Sequence, residues 1–157
     1  SGLTSKIAGI DLFDKEIDEA FPPMSVTVRL EDDIDVSRGD MICRPQNAPT
    51  PSQDIDAMVC WMSSTPLRPR QKLAIKHTTR VARTLIKDVQ YRLDVNSLHR
   101  DLETKHLGLN EIGRVQLRTT VPLLCDPYET NRTTGSFILI DEATGVTVGA
   151  GMINAAG

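Results

Sequence analysis

Gly108 and Gly113 have the spacing that comes nearest to a catalytic motif, the phosphate-binding Walker loop. In that loop the second glycine is followed by Lys and then by Ser or Thr, so that backbone amides and an ammonium group surround the phosphates. Here Arg114 and Val115 follow Gly113 instead. We therefore predict that this chain alone hydrolyses no nucleotide and binds no cofactor of its own.

An acidic segment imitates the start of a calcium-binding loop. Asp33, Asp35 and Ser37 have the spacing of its first three ligands. Such a loop also needs a glycine at its sixth position and a bidentate glutamate at its twelfth, where this chain has Arg38 and Arg44. Because the closing ligand is missing, we interpret the segment as a solvated turn and predict no metal site.

The histidines suggest two further kinds of site. His99 and His106 would share one face of a helix predicted over Val95–His106, but two helical turns place them about 10 Å apart, and zinc holds its nitrogen ligands at about 2 Å. His77 is either a hydrogen-bonded structural residue or, with a carboxylate within about 3 Å, a proton-transfer group. The residues leave both interpretations of His77 open, and the second would make the chain a small stand-alone enzyme.

No side chain has the surroundings of an activated nucleophile. The serines lie outside any nucleophile-elbow motif. The cysteines are odd in number, widely spaced, and inside or beside apolar runs, which indicates reduced core thiols rather than disulfides: Cys43, Cys60 and Cys125. We assign no catalytic residue.

Charge is distributed unevenly along the 157 residues. Residues 1–56 contain 12 acidic and 5 basic side chains, and residues 57–157 contain 9 acidic and 13 basic ones. Eight bases fall in residues 68–92, which we call the basic strip: Arg68, Arg70, Lys72, Lys76, Arg80, Arg83, Lys87 and Arg92. The strip supports an alternative hypothesis, an independent β-barrel that binds RNA or another polyanion. With six aromatic residues in all and a pI near 5.6, base-stacking platforms are few, and we expect no nucleic-acid partner.

The N-terminal third contains an incomplete set of strands. Strict alternation predicts a half-buried strand at Met24–Leu30, and a second, short strand is predicted at residues 41–43. About three strands are too few to close a barrel. We predict part of a second-domain barrel in residues 1–43, a proline-rich linker at 44–53, and a complete domain at 54–157.

Six short segments rich in β-branched and aliphatic residues follow the linker. Only Val95–His106 has helical spacing, with Leu98 and Leu102 four residues apart. Six strands that close on themselves leave no exposed edge. We predict a mainly β fold, a six-stranded antiparallel β-barrel preceded by a partial second barrel, with barrel strands at Ile55–Met62, Lys72–His77, Val81–Leu93, Arg114–Thr119, Ser136–Asp141 and Val146–Ile153.

Motifs in the first third resemble the translation-factor GTPases. Residues 20–42, with Val26-Thr-Val-Arg-Leu30 and the turn Arg38-Gly39-Asp40, resemble the end of the second domain of proteins such as elongation factor Tu. In those proteins an alternating strand and a turn of this kind close the second barrel. The likeness implies that the downstream barrel is of the elongation-factor third-domain type.

Downstream motifs narrow the resemblance. Asn131-Arg-Thr-Thr-Gly-Ser-Phe-Ile-Leu-Ile-Asp141 and Gly149-Ala-Gly-Met-Ile153 are similar to the third domain of the GTPase subunit of bacterial sulfate adenylyltransferase. His77-Thr-Thr-Arg80 and Tyr91-Arg-Leu-Asp-Val-Asn-Ser-Leu-His-Arg100 resemble most the form of that subunit fused to adenylylsulfate kinase. The chain is identified as a member of this family.

The resemblance implies a non-catalytic part of a larger enzyme of sulfate assimilation. In that family a small subunit makes adenylylsulfate and pyrophosphate from ATP and sulfate, and GTP hydrolysis in the large subunit makes this uphill step favourable. GTP and magnesium would belong to the GTPase domain, and ATP to the parent enzyme. The expected partners are the small catalytic subunit and the chain's own GTPase domain. We expect the parent protein to be an enzyme and this chain alone to be inactive.

Further expectations concern location and contacts. No apolar stretch approaches the roughly 18 residues of a membrane helix, and no signal peptide is visible, so we expect a cytoplasmic protein without a membrane partner. Exposed edges of the incomplete sheet should leave it poorly ordered or make it form a homodimer by strand addition. Asn131–Gly135 either shapes a loop or contacts a partner. The candidate partner-contact residues are Arg80, Arg83, Asn131 and Arg132.

Overall fold

The chain forms two compact units, Ser1–Asp40 and Met41–Gly157. The structure is a computed structural model that describes residues 2–156. The first unit contains the antiparallel strands β1 (Ile7–Leu12), β2 (Lys15–Ile17) and β3 (Thr27–Leu30), in the order β2-β1-β3.

The two faces of this small sheet differ in chemistry. On one face Arg29 reaches Asp11 at 2.8 Å and Glu16 at 2.9 Å across the strands. Side chains such as Ile10 and Val28, which are paired in the register, form the apolar face. None of the large apolar side chains among residues 2–40 is fully buried. The sheet therefore has no closed core of its own, which agrees with the predicted partial barrel.

The second unit is a closed barrel, as predicted. A short 3₁₀ turn at Pro45–Asn47 precedes it. Its strands are β4 (Thr50–Trp61), β5 (Lys72–His77), β6 (Arg80–Leu93), β7 (Arg100–Asp101), β8 (Ile112–Cys125), β9 (Ser136–Ile140) and β10 (Thr147–Ala156). Their order is β5-β9-β10-β4-β8-β6-β7, and β5 also pairs with β6. That additional pairing closes six strands into an antiparallel ring, and the two-residue β7 extends one edge beyond it.

Residues alternate between the barrel interior and its outer surface, as the period of a strand requires. Strand β5 shows the pattern, since Leu73, Ile75 and His77 are buried while Lys72 and Lys76 are exposed. The core draws its side chains from all six main strands and from the isolated bridge between Leu67 and Leu107. Register shifts in the long strands β4, β6, β8 and β10 mark bulges, which bend strands so that a barrel can close.

Two glycines are explained by close packing rather than by ligand binding. A Cβ atom on Gly151 would overlap the ring of Phe137 on the neighbouring strand. A Cβ atom on Gly113 would meet the Tyr91 carbonyl oxygen and the Leu107 side chain. Gly113, which resembled part of a phosphate loop, is therefore a position inside β8 that has room only for hydrogen.

The predicted helix at Val95–His106 is wrong. The segment is a loop interrupted by the two-residue strand β7. At its start the Asp94 carboxylate accepts hydrogen bonds from the amides of Asn96 (2.8 Å) and Ser97 (3.3 Å). Leu98 has φ 57°, and both Leu98 and Leu102 are mainly exposed. Carboxylates that satisfy nearby amides compete with a helix, and these leucines have no apolar surface on which a helix could pack.

Other element boundaries also differ from the predictions. Residues 41–43 form no strand, and β4 begins at Thr50, so residues 50–53 of the predicted linker belong to the sheet. Strand β8 is longer than the predicted Arg114–Thr119 at both ends. The hairpin of β1 and β2 was not located by the sequence because Gly9 and short apolar runs weaken its alternation. In each case tertiary pairing, rather than local pattern, sets the boundary.

Replacing Phe137 with Ala should lower the free energy of unfolding by about 3–5 kcal/mol, because the ring is only 4% exposed and covers Gly151. Val81→Ala is the matched control, since Val81 is 60% exposed on β6 and should change stability little. Chemical denaturation of both variants measures the difference. Equal effects of the two substitutions would contradict the interior placement of the ring.

Candidate functional site

Ion pairs occupy the outer surface of β8 and β6 and of the first half of β4. Arg114 binds Asp56 through two hydrogen bonds of 2.8 and 2.9 Å. Asp54 accepts from Arg118 at 2.6 Å and from Lys87 at 3.3 Å. Hydrogen bonds and charge from Asp56 raise the pKa of Arg114. This face is therefore a ladder of opposite charges rather than an uncompensated basic surface.

Two further bases of the basic strip that was proposed for polyanions are paired in the same way. Arg92 binds Glu111 at 2.7 Å and Asp101 at 2.9 Å. Arg83 binds Glu142 at 2.9 Å. At Arg83, Lys87 and Arg92 a phosphate backbone would have to displace these carboxylates, and a nucleic acid gains its affinity by neutralising phosphates with available cations.

The block Asn131–Gly135 lies in a tightly folded loop between β8 and β9. Asn131 Oδ1 accepts hydrogen bonds from the amides of Thr133 (3.0 Å) and Thr134 (3.5 Å). The Thr134 hydroxyl donates to Asp126 at 2.6 Å. The amide of Tyr128 donates to the Ile153 carbonyl at 2.8 Å and fixes the loop to β10. Asn131 thus shapes the loop.

His77 holds this loop from inside the barrel. Its side chain is buried, and Nε2 lies 2.7 Å from the carbonyl oxygen of Thr134. Because a carbonyl only accepts, Nε2 carries the proton and donates it. No carboxylate is hydrogen-bonded to His77 among residues 2–156, so the geometry fits the structural interpretation rather than proton transfer.

The cysteines occupy three different environments. Cys125 is buried, and this burial raises the pKa of its thiol to about 11. Cys60 is half-buried on the outer side of β4, and Cys43 is exposed. All three are free thiols. The prediction of core thiols is wrong for Cys43, which lies in the irregular segment before the barrel, and for Cys60, which faces the outer surface; it is confirmed for Cys125 alone.

A groove of about 810 Å³ lies on the other half of the outer surface. The strand register aligns its side chains in two parallel rows. One row crosses five strands, through Lys76, Ile138, Ala150, Cys60 and Ile112. The second row, two residues away, contains Ser136, Met152 and Met58. Small side chains at the centre of an apolar surface produce the concavity.

Two cations lie at the groove without partners. Lys76 of β5 and Arg132 of the loop both line it, and both are exposed. The lining contains no Asp or Glu, and within the part of the chain that the structure describes neither cation makes an ion pair. The groove thus combines an apolar floor with uncompensated positive charge.

The structure treats the four candidate contact residues differently. Arg132 lines the groove, Asn131 shapes the loop beside it, and Arg83 is paired with Glu142. Arg80 begins β6 after the turn at Thr78 and Thr79. Sequence reasoning missed Lys76 as a site residue, although the alternation of β5 already placed it on the outer surface.

Residues 54–154 match the family described as GTP-eEF1A C-terminal domain-like. The chain belongs to this family. The match covers almost the whole barrel, from β4 to β10, and thus includes both the ion-pair ladder and the groove.

Two curated relatives confirm the resemblance of the sequence motifs to the sulfate adenylyltransferase GTPase subunit. The chain is 56% identical over 153 residues to the "Bifunctional enzyme CysN/CysC" of Mycobacterium tuberculosis, covering 97% of this chain and 25% of that protein. It is 46% identical to "Sulfate adenylyltransferase subunit 1" of Bacteroides fragilis, covering 98% of this chain and 32% of that protein. The chain therefore spans about a quarter to a third of these relatives.

A solved structure supports the fold over nearly the whole chain. The crystal structure titled as Sup35 complexed with GDP superposes with a TM-score of 0.85 at 19% identity, covering 97% of this chain and 38% of that one. At this identity the likeness shows the fold alone. It extends to the three-stranded sheet as well as to the barrel.

Residues 2–156 contain neither a cluster of metal ligands nor a helix that could span a membrane. No three His, Cys, Asp or Glu side chains in that range group as metal ligands. None of its helices has the length and apolar character needed to cross a bilayer.

Asp101→Asn should lower the melting temperature at neutral pH and should have little effect near pH 2. Hydrogen bonds from Thr104 (hydroxyl and amide), the Glu103 amide and Arg92 lower the pKa of Asp101 to about 2. A carboxyl group whose pKa is lowered by folding stabilises the fold at pH values above its ordinary pKa of 3.8. This stabilisation is lost as the pH falls from 3.8 towards 2. Thermal melts of wild type and variant from pH 7 to pH 2 test this. A difference that persists unchanged at pH 2 would contradict the assignment.

Proposed function

We propose that this chain is the C-terminal β-barrel region of the GTPase subunit of a sulfate adenylyltransferase. The supporting observation is the 56% identity to a protein named CysN/CysC over almost all of this chain. In this proposal residues 1–43 finish the second domain, residues 44–53 lead from it into the third and include the first four residues of β4, and residues 54–157 form the rest of the third-domain barrel. We further propose that the longer protein is the form fused to adenylylsulfate kinase.

The barrel region acts without a reactive side chain of its own. GTP and magnesium are bound by the GTPase domain of the longer protein, and ATP and sulfate react in the small catalytic subunit, in the cytoplasm. A GTPase transmits its nucleotide state by moving its first domain against a rigid unit. A closed ring of six strands with a continuous core deforms little, so it can serve as that unit. Its outer surface then provides contacts for the small subunit and the GTPase domain.

The coupling is testable with the full-length protein and its small subunit. Pyrophosphate release from ATP and sulfate should rise strongly when GTP is added, while the 157-residue chain alone should release no phosphate from GTP. Phosphate and pyrophosphate assays on matched samples measure both reactions. Pyrophosphate formation that is indifferent to GTP would contradict the proposed function.

The alternative function, RNA binding, makes an opposite prediction. We expect no complex at about 150 mM salt, because carboxylates of this chain already pair with Arg83, Lys87 and Arg92 of the basic strip. Fluorescence anisotropy with a labelled single-stranded RNA measures this. A micromolar complex that weakens in Arg80→Ala, Arg83→Ala and Lys87→Ala variants would favour the alternative and overturn the scaffold proposal.

A further inference from the structure

We propose that the groove across β5, β9, β10, β4 and the start of β8 is the docking surface for an acidic segment of the small catalytic subunit, one that presents apolar side chains flanked by carboxylates. This inference rests on the proposed function for the identity of the partner. The chemistry of the partner segment is inferred from the apolar floor of the groove, its two cations and its ordered wall.

The groove half of the barrel surface is unusually apolar. Outward positions on the ladder side are occupied by charged residues such as Arg114 and Arg118. Equivalent outward positions in the groove rows are Ile138, Cys60 and Met58, and Met152 is 43% exposed. A contiguous apolar patch with a polar surround is typical of a protein-binding surface. Methionine side chains suit such a surface because they adapt to a partner's shape.

The two cations at the groove, Lys76 and Arg132, differ from the cations of β6 and β8 in their ion pairing. Elsewhere on the barrel the cations of β6 and β8 are matched with carboxylates of this same chain: Lys87 and Arg118 with Asp54, Arg92 with Asp101 and Glu111, and Arg114 with Asp56. Lys76 and Arg132 have no such partner in the described residues. Complementary potentials favour carboxylates on the partner opposite these two cations. A basic or neutral partner surface would leave both charges uncompensated.

The loop between β8 and β9 forms a wall of the groove and is held in place by hydrogen bonds. The loop that carries Arg132 is held by the Asn131 turn, by the 2.6 Å bond of Thr134 to Asp126 and by His77 from the interior. Binding to such a wall requires little new ordering, which preserves affinity. A small ligand would instead need an enclosed site with convergent polar groups, whereas Lys76 and Arg132 are exposed beside a floor spread over several strands.

The test measures assembly of the full-length protein with its small subunit by titration calorimetry or interferometry. Lys76→Glu and Arg132→Glu should each weaken assembly about tenfold or more and reduce its dependence on salt, because they reverse charge beside the interface. Lys72→Glu is the matched control: it lies on the same strand, is exposed, and does not line the groove. It should bind within about twofold of wild type. Circular-dichroism melts verify that all variants fold.

The outcomes separate the groove from the broader proposal. If wild type assembles and both groove variants assemble equally well, the groove proposal is overturned while the proposed function stands. If the variants assemble normally but change GTP hydrolysis without the small subunit, the groove meets the protein's own GTPase domain and the proposal is also overturned. If wild type itself does not assemble with the small subunit, both proposals fail.

Discussion

Pairing of β5 with both β9 and β6 is the constraint on which the remaining structure depends. That pairing turns an open sheet into a ring, and a ring fixes which side of every strand faces inward. Once closure is set, Phe137 must lie over Gly151, and His77 must donate its hydrogen bond from the interior to Thr134. The same closure directs the alternate residues outward, so the functional surface of the barrel is a consequence of its core.

The outer surface is divided between two kinds of chemistry. Around β4, β8 and β6 the cations are matched by carboxylates across strands, of which the bidentate pair of Arg114 and Asp56 has the best geometry. Exposed pairs of this kind contribute little stability, so their main effect is to cancel charge. On the groove side Lys76 and Arg132 stay unmatched. The unit thus has one self-contained face and one face that lacks a counter-charge.

The three-stranded sheet of residues 2–40, unlike the barrel, has no closed core. Its polar face is satisfied internally by Arg29, which contacts both Asp11 and Glu16, but its apolar face has no fully buried large side chain. A sheet of this size gains stability when its apolar face is covered by further strands or by another element. The proposed position of these residues, at the end of a second-domain barrel, would supply that cover.

Sequence alone determined the type of the fold. The spacing around Gly113 excluded a phosphate loop, and alternation placed β5 and much of β6 and β9 correctly, because a two-residue period is a local property that survives any pairing. The loop motif beginning at Asn131 carried the family resemblance. Local pattern also led to the wrong prediction of a helix near Leu98. The spacing of the leucines is helical there, but no apolar surface is present on which they could pack.

Only the tertiary structure decided which cations are available. The basic strip looks uniform in sequence, yet its partners Asp54 and Glu142 come from distant segments, and Asp101 comes from β7, in a segment that the pattern misassigned as a helix. Likewise the groove is assembled from residues as far apart as Met58 and Met152, which become neighbours only through strand register. Side-chain direction is a local property of a strand, whereas charge compensation and concavity depend on contacts between segments that are far apart in the chain.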